Sequence, residues 1–315
     1  MSARTLRVVF LDASSLPCGL VFPADSNIDY QAYESTSADQ AGDRIAHAHV
    51  VITNKVRLDS AQLQEARLLE LVGVAAAGTD NVDLEAAKRL GIRVRNVPDY
   101  GSESVAEHAV ATLFALRREL LTYAAAARDG RWRASPHFCW TGPAIRDVGG
   151  TVFGIVGRGR IGEAVARLAR GIGMQVIFAE TPGFERKQDE LPLDELLARS
   201  DAVSLHLPLT PQTQGLIGPR TLGLMKPGAV LINTGRGALV DANALADALR
   251  RGVIAGAAID VLDVEPPPAD HPLLAADIPH LLLTPHVAWA SENAQAKLAG
   301  RLVDMVLETR DASPR

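Results

Sequence analysis

Short apolar runs alternate with helical or polar stretches along the chain, and this alternation predicts parallel β-sheets covered by helices. In the first third, the predicted strands are Arg7–Leu11, Val50–Thr53, Leu69–Val74 and Ile92–Asn96. A second series begins at Thr151, with predicted strands at Val152–Val156, Gln175–Ala179, Ala202–Leu205, Val230–Asn233, Ala255–Ile259 and Leu281–Thr284. We therefore expect an α/β protein with two doubly wound parallel sheets, the second containing six strands.

A helical segment separates the two series of strands. Ser104 and Glu107 have the spacing of a capping box, and apolar residues then recur at helical spacing. This pattern predicts one long helix from about Ser102 to Ala127 that crosses between two domains. With 315 residues, 47% of them hydrophobic, the chain is able to fill two cores. A last helical pattern, Ser291–Glu308, has no obvious place in the second sheet.

Charge and cysteine content exclude several classes of protein. The formal net charge is -5, and basic and acidic residues are mixed throughout, so nucleic acid and membrane partners are not expected. No apolar stretch approaches the roughly 18 residues of a membrane span. Cys18 and Cys139 fit no metal-binding or disulfide spacing, so we predict no metal site and expect a reducing cytoplasm.

A glycine-rich loop follows the predicted strand Val152–Val156. Gly157, Gly159 and Gly162 have GxGxxG spacing, and a helical pattern follows them. In such a unit the first glycine permits the turn, the second lets the backbone approach a pyrophosphate, and the third lets helix and strand pack closely. The helix N-terminus then faces the anion. We predict a dinucleotide site; the alternative is a glycine-rich turn without a ligand.

The next predicted strand leads to a carboxylate, Glu180, about 20 residues after the loop. A carboxylate there accepts hydrogen bonds from ribose hydroxyls and repels a 2′-phosphate, which favours NAD. Arg158, Arg160 and the pair Arg186-Lys187 are basic residues that are able to neutralise such a phosphate. The sequence therefore favours NAD and leaves NADP as an alternative.

Three later strands each lead to a reactive side chain: Arg236, Glu265 and His286. The carboxyl ends of parallel strands share one edge, so we expect these groups to assemble. A carboxylate beside an imidazole orients the ring and favours its protonated form, which is a general acid. A guanidinium binds a carboxylate through two hydrogen bonds. Singly, His286 would be a core residue and Arg236 a structural ion pair; together they indicate an anionic carbonyl substrate.

With a bound nicotinamide, this set of residues predicts reduction of a keto acid. The keto carbon would receive a hydride while His286 protonates the oxygen, and Arg236 would hold the substrate carboxylate. On the other side, the small residues of Ala75–Thr79 would let backbone N–H groups reach the same carboxylate. Tight packing is the ordinary interpretation of that stretch.

An irregular segment, residues 129–150, carries three large aromatic side chains, Trp132, Phe138 and Trp140. We call it the aromatic arm. We expect its apolar side chains to pack against other apolar surface. Either the arm is a loop that covers the core of its own subunit, or it forms a contact with a second subunit.

Seven stretches of the chain together resemble the D-isomer-specific 2-hydroxyacid dehydrogenases. They are AAAGTDNVDL (75–84), VPDYGSESVAEHA (97–109), GIVGRGRIG (154–162), LHLPLTPQTQGLIG (205–218), MKPGAVLINTGRGALVD (225–241), AAIDVLDVEPPP (257–268) and TPHVAWAS (284–291). Because they run from the first domain to the last helix, the resemblance covers both predicted domains.

The resemblance implies catalytic roles for Arg236, Glu265 and His286. It implies cofactor contacts at Gly157, Gly159, Arg160, Ile161, Gly162, Glu180, Leu207, Pro208, Thr213, Thr234 and Asp260. It implies substrate contacts at Ala77, Gly78, Tyr100 and Arg236. It also implies two Rossmann-like domains, with an NAD-binding domain (100–285) inserted into a substrate domain (1–99 and 286–315), and a homodimer formed through the NAD-binding domain.

Within the family, the stretches VITNKV (51–56), SPHFC (135–139) and VIFAE (176–180) resemble the glycerate dehydrogenase, or hydroxypyruvate reductase, branch. This resemblance implies NADH-dependent reduction of small 2-keto acids, hydroxypyruvate or glyoxylate first. Three alternatives stay open: an NADPH-preferring relative, a relative acting on phosphoglycerate, phosphite or formate, and a non-catalytic protein that senses dinucleotides.

Overall fold

The protein, described here by a computed structural model over residues 4–312, forms two compact α/β units. One unit contains the chain up to Gly101 and again from Ala290, and the other contains Ser102–Trp289. The second unit is thus inserted into the sequence of the first. This division falls four residues after the predicted boundary at 285/286.

The secondary-structure elements follow one another as β/α repeats. The first segment contains β1 (Leu6–Phe10), β2 (Ile28–Ala32), α1 (Ala38–Ile45), β3 (Val50–Thr53), α2 (Ser60–Glu65), β4 (Leu71–Val74), α3 (Leu84–Arg89) and β5 (Arg93–Asn96). The inserted unit contains α4 (Ser102–Arg117), α5 (Leu120–Arg128), β6 (Val152–Val156), α6 (Arg160–Gly171), β7 (Gln175–Ala179), β8 (Glu190–Leu191), α7 (Leu193–Arg199), β9 (Ala202–Leu205), α8 (Pro219–Leu222), β10 (Val230–Asn233), α9 (Ala242–Arg250), β11 (Gly256–Ile259) and β12 (Leu281–Leu283). The last helix is α10 (Glu292–Asp311).

The first unit is built on a parallel sheet with strand order β2-β1-β3-β4-β5. Its central strands β3 and β4 are buried along their whole length, as parallel strands covered on both faces require. Helix α10 packs against β4, and Leu302 lies 3.7 Å from the position that a Cβ on Gly73 would occupy. Arg95 forms an ion pair with Glu308 of the same helix. The last helix therefore belongs to the first unit.

The inserted unit is built on a parallel sheet with strand order β12-β11-β10-β9-β6-β7-β8. Strands β9, β10 and β11 are fully buried, and two apolar cores cover the two faces of the sheet. The α/β class with doubly wound parallel sheets is therefore confirmed. Strand order reverses at β6, because β9 lies on one side of it and β7 on the other.

Two edge strands were missing from the sequence prediction. The described part of the inserted sheet has a seventh strand, β8, which is only two residues long. In the first sheet, β2 pairs with β1 along Ile28–Ala32, yet none of its residues is fully buried. An edge strand with little burial lacks the apolar run that identifies a central strand.

The predicted long helix is wrong, because two helices, α4 and α5, occupy its place. Glu119 adopts a left-handed backbone conformation with φ of 53° between them. The carbonyl of Arg117, which a continuous helix would pair with Leu121, instead accepts a 2.8 Å hydrogen bond from the Arg146 backbone N–H. The break thus depends on a segment almost 30 residues further along the chain.

Among residues 4–312, no helix combines the length and apolar character needed to cross a membrane. The same residues contain no group of three or more His, Cys, Asp or Glu side chains arranged to hold a metal ion.

Candidate active site

The glycine loop forms a close-packed turn between β6 and α6. Gly157 has φ of +100°, and a Cβ there would lie 2.2 Å from the carbonyl oxygen of His206. A Cβ on Gly162 would lie 2.1 Å from the Gly157 carbonyl oxygen. At Gly159 an added Cβ would meet no atom within 4 Å, so the space over this residue is open. The first and third glycines are therefore required by packing, and the second leaves room for a ligand.

The loop lies where the strand order reverses, which is the usual ligand crevice of an open parallel sheet. His206 and Thr234 directly follow Leu205 and Asn233, the last paired residues of β9 and β10. His206 Nδ1 and Thr234 Oγ1 are buried, and neither atom has a hydrogen-bond partner in the described part of the chain. Buried polar atoms are usually paired, so two orphans beside this crevice are the kind of atoms that a bound polar group satisfies.

Glu180 follows β7, and its backbone N–H donates to the Leu191 carbonyl. Its side chain is 39% exposed, so it is accessible to a ligand, and the Arg186 guanidinium lies 3.7 Å from it. Arg186 also donates to the backbone carbonyl of Glu190. Arg186, one of the basic residues that could have neutralised the 2′-phosphate of NADP, is therefore paired with Glu180.

Arg158 is also engaged. Its guanidinium bonds to Glu163 at 2.6 Å and to Asp189 at 2.5 Å, and it stacks on the Phe178 ring with its central carbon 4.5 Å from the ring centroid. The hydrogen bond to Glu163, followed by that to Asp189, raises the pKa of Arg158. The positive charge of this loop residue is thus already balanced by two carboxylates.

The turn after β10 presents Arg236 on an open surface. Asn233 shapes this turn, because its side chain accepts from the Gly235 N–H at 3.1 Å and donates to the Arg236 carbonyl at 2.9 Å. Gly237 follows, and a Cβ there would lie only 1.9 Å from the carbonyl carbon of Leu262. The turn bearing Arg236 is therefore pressed against the loop after β11, which carries Glu265.

Glu265 and His286 form a direct hydrogen-bonded pair. Glu265 Oε2 lies 2.6 Å from His286 Nδ1, and both side chains are 31% exposed. The other carboxylate oxygen accepts from the Leu262 N–H at 2.8 Å, which fixes the carboxylate. A carboxylate on Nδ1 places the Nδ1 proton between the two groups and leaves Nε2 for chemistry.

Asp260 is buried, and its carboxylate is occupied by groups of its own unit. Oδ1 accepts from the Thr284 hydroxyl at 2.5 Å and from the Val287 N–H at 3.0 Å, and Oδ2 accepts from the Ala288 N–H at 2.9 Å. Its backbone carbonyl accepts from the His286 N–H at 2.8 Å. The carboxylate thus holds the loop that follows β12 on both sides of His286.

The remaining cofactor candidates differ in their burial. Leu207 is a core residue, whereas Pro208 is exposed. Thr213 is fully buried, and its hydroxyl donates to the Pro208 carbonyl at 2.8 Å, so it shapes the loop. Arg160 is exposed at the start of α6, and Ile161 packs on the core beneath it.

The substrate candidates of the first unit lie at the carboxyl ends of its strands. Ala77 is exposed after β4, and its carbonyl accepts a 2.5 Å hydrogen bond from the Asn96 side chain at the end of β5. Gly78 and Tyr100 are partly buried. Sequence reasoning missed Asn96, Asn233 and Thr284. The partners of Asn96 and Thr284 lie at the end of a neighbouring strand, and those of Asn233 lie within its own turn.

Comparison with known proteins extends these observations. Residues 110–288 match the family model for the NAD-binding domain of D-isomer-specific 2-hydroxyacid dehydrogenases. That match covers more than half of the chain. The chain belongs to this family. The enzyme is 42% identical to a putative 2-hydroxyacid dehydrogenase of Haemophilus influenzae over 96% of its own length and 98% of that protein.

Two further relatives place the similarity over nearly the whole chain. The enzyme is 43% identical to a glycerate dehydrogenase of Methylorubrum extorquens, with 96% of this chain and 95% of that protein covered. Among solved structures, the TT0316 protein from Thermus thermophilus superposes with a TM-score of 0.84 at 35% identity, covering 96% of each chain. The enzyme is therefore an NAD-dependent oxidoreductase, and its crevice fits the cofactor: two glycines where side chains would collide, open space over Gly159, and two orphaned polar atoms beside it.

Proposed function

We propose that the enzyme reduces small 2-keto acids with NADH, hydroxypyruvate to D-glycerate and glyoxylate to glycolate first, and that it catalyses the reverse reactions. The observation that carries this proposal is the 2.6 Å pair of Glu265 and His286, held in the unit that contains the glycine loop. The name of the Methylorubrum extorquens relative, glycerate dehydrogenase, supports the choice of substrate.

The mechanism assigns one task to each polar side chain. Bound NADH supplies the hydride that the keto carbon accepts. His286 gives its Nε2 proton to the carbonyl oxygen, which becomes the hydroxyl of the product, and the ring is left neutral. Glu265 holds Nδ1 and stabilises the ring while it is charged. Arg236 binds the substrate carboxylate and polarises the carbonyl.

The remaining residues are proposed to divide between the two ligands. The cofactor residues are Gly157, Gly159, Arg160, Ile161, Gly162, Glu180, Leu207, Pro208, Thr213, Thr234 and Asp260. The substrate residues other than Arg236 are Ala77, Gly78 and Tyr100. We accordingly propose that the unit that contains the chain up to Gly101 and again from Ala290 is the substrate domain, and that Ser102–Trp289 is the cofactor domain; the sequence predicted these boundaries at 99/100 and 285/286. The ion pairs of Arg158 and Arg186 with carboxylates support NADH over NADPH.

A substrate panel tests this proposal. NADH oxidation would be followed with hydroxypyruvate, glyoxylate, pyruvate and 3-phosphohydroxypyruvate, and NAD reduction with formate and phosphite. We expect the highest kcat/KM with hydroxypyruvate or glyoxylate, and a lower value with NADPH in place of NADH. Highest activity with the phosphorylated acid, formate or phosphite would overturn the substrate assignment. Tight NADH binding without turnover of any compound would indicate a dinucleotide sensor instead.

We also propose a cytoplasmic homodimer. Phe138 is 91% exposed and Trp132 is 52% exposed, although the indole N–H of Trp132 donates to the Phe138 carbonyl and orders the aromatic arm. An ordered segment with this much exposed apolar area suits a subunit contact. Sedimentation of wild type and Phe138→Asp tests the dimer. We expect a wild-type dimer that the substitution dissociates, and a wild-type mass near 33.5 kDa at micromolar concentration would contradict it.

The proposed cytoplasmic location is supported by the cysteines. Cys18 and Cys139 are both free, which suits a reducing compartment.

A further inference from the structure

A row of polar groups crosses from helix α4 to the loop that carries His286. His108 Nε2 lies 3.1 Å from the Thr284 hydroxyl, which in turn lies 2.5 Å from Asp260 Oδ1. His108 Nε2 is also 4.0 Å from the same carboxylate oxygen. All three residues belong to the inserted unit. The glycine loop and the Glu265–His286 pair leave His108 and Thr284 without an assigned role.

Hydrogen-bond chemistry sets the direction of this row. Asp260 Oδ1 is a carboxylate oxygen, so at 2.5 Å the Thr284 hydroxyl must donate its one proton to it. The Thr284 oxygen is then an acceptor towards His108, and His108 Nε2 must carry a proton. The order of donation is therefore His108 to Thr284 to Asp260, and it fixes the tautomer of a neutral His108 ring.

The row ends on the backbone that sets the position of His286. His286 has φ of +55°, which a side chain with a Cβ rarely adopts. Its N–H donates to the Asp260 carbonyl, and the two following N–H groups, of Val287 and Ala288, donate to the Asp260 carboxylate. A strained residue persists only where its surroundings hold it, and here Asp260 supplies those contacts.

We propose that His108 is a positioning residue for His286, acting through Thr284 and Asp260. The row fixes the Asp260 carboxylate, the carboxylate fixes the loop on both sides of His286, and the loop aims the ring at the substrate. The inference rests on the proposed role of His286 as acid and base. His108 itself touches neither reacting group, so it controls the rate through the geometry of the loop. A displacement of about 1 Å is enough to cost a large factor in rate.

A double-mutant cycle with a rescue variant tests the row. His108→Leu removes the donor, Thr284→Val removes the middle hydroxyl, and His108→Gln restores an N–H near the Nε2 position. We expect His108→Leu to lower kcat by about tenfold with little change in the NADH Kd, and His108→Gln to recover most of the loss. Because the groups act in series, the double variant is expected to be no slower than Thr284→Val alone.

Thr112→Val is the matched control. This threonine also lies on α4 and is buried, but its hydroxyl bonds to the Ala109 carbonyl of its own helix, so kcat is expected to stay at the wild-type value. Equal kcat for His108→Leu, His108→Gln and wild type would overturn the inference, as would additive losses in the double variant. The proposed function fails separately, if His286→Gln keeps its turnover. If Thr284→Val does not fold, the comparison of kcat between His108→Leu, His108→Gln and wild type still tests the inference.

Discussion

Each of the two sheets of this enzyme has one point where the strand order reverses. This point is filled by a side chain in the first sheet and is open in the inserted sheet. In the first sheet this point lies between β1 and β3, and the Asp12 carboxylate fills it by accepting the backbone N–H groups of Asn54, Lys55 and Val56. In the inserted sheet it lies between β6 and β9, and the glycine loop leaves open space over Gly159. One topology therefore yields a closed crevice or a ligand crevice, according to the residues that follow the strands.

The difference supports the proposal that the cofactor binds at the glycine loop, within the unit that matches the NAD-binding family model. A pyrophosphate needs unoccupied backbone N–H groups and a helix N-terminus. In the first sheet a protein carboxylate already takes the N–H groups of the loop after β3. In the inserted sheet, α6 begins at Arg160 directly after the open Gly159. Four substitutions test this contrast.

The largest of these four effects is expected from displacing the glycine loop. In Gly162→Ala, the new methyl group lies 2.1 Å from the Gly157 carbonyl oxygen, so the glycine loop must shift. Overpacking of this kind costs about 1–3 kcal/mol, and we expect the NADH Kd to rise by about 10- to 100-fold. The matched control is Gly171→Ala in the same helix, where the methyl group meets nothing within 4 Å. Equal NADH affinity in both variants would contradict the packing argument.

A smaller effect is expected at the ribose end of the crevice. Glu180→Ala removes the carboxylate that follows β7, so the preference for NADH over NADPH is expected to narrow by about tenfold. KM for each cofactor measures this change. Glu185→Ala, an exposed carboxylate in the same segment, is the control and should leave the ratio unchanged. A wild type that already prefers NADPH would refute the ribose argument.

Opening the closed crevice should not create cofactor affinity. Asp12→Asn places a donor amide among three backbone N–H groups, so the free energy of unfolding should fall by about 1–3 kcal/mol. We expect the KM for the keto acid to rise modestly and the NADH Kd to stay at the wild-type value. Thermal unfolding and NADH titration check both parts. A weakened NADH affinity would show that the first sheet shares in cofactor binding.

The smallest effect concerns pH. Burial lowers the pKa of His206, beside the open crevice, to about 3, so the ring is neutral in the folded enzyme. The unfolded chain takes up that proton near pH 6.5, so this contribution to stability is fully present above about pH 6.5 and is lost as pH falls towards about 3. The Tm of wild type should therefore fall more steeply below pH 6.5 than that of His206→Gln. His137→Gln, at an exposed position, should follow wild type, and parallel curves for all three would contradict the burial argument.

The central strands were predictable because they are buried on both faces. β3, β6, β9 and β10, which are buried along all or nearly all of their length, have the bounds that their apolar runs indicate. β2 is an edge strand with little burial, and β8 is an edge strand of only two residues, so neither carries such a run. The break between α4 and α5 depends on the backbone N–H of Arg146, a long-range contact that no local pattern encodes.

The same distinction holds at the site. Glu265 and His286 follow strands of one parallel sheet, whose carboxyl ends share one edge. The alternation of strand and helix patterns in the sequence predicts that sheet, so it also predicts that the two residues lie at the same edge. The contacts of Asp260 with Thr284 and His108 depend on strand register and on which face of α4 meets the sheet. Those quantities are set by packing of the whole unit, so the row was not predictable from the sequence.

The most direct test of the account is the turnover of His286→Gln. With hydroxypyruvate or glyoxylate and NADH, kcat is expected to fall by about 100-fold or more, because the proton donor to the carbonyl oxygen is gone. NADH titration should give the wild-type Kd, because the glycine loop is untouched. Loss of turnover with retained NADH binding is the predicted result, and near-normal turnover would contradict the assignment of His286 as the acid and base.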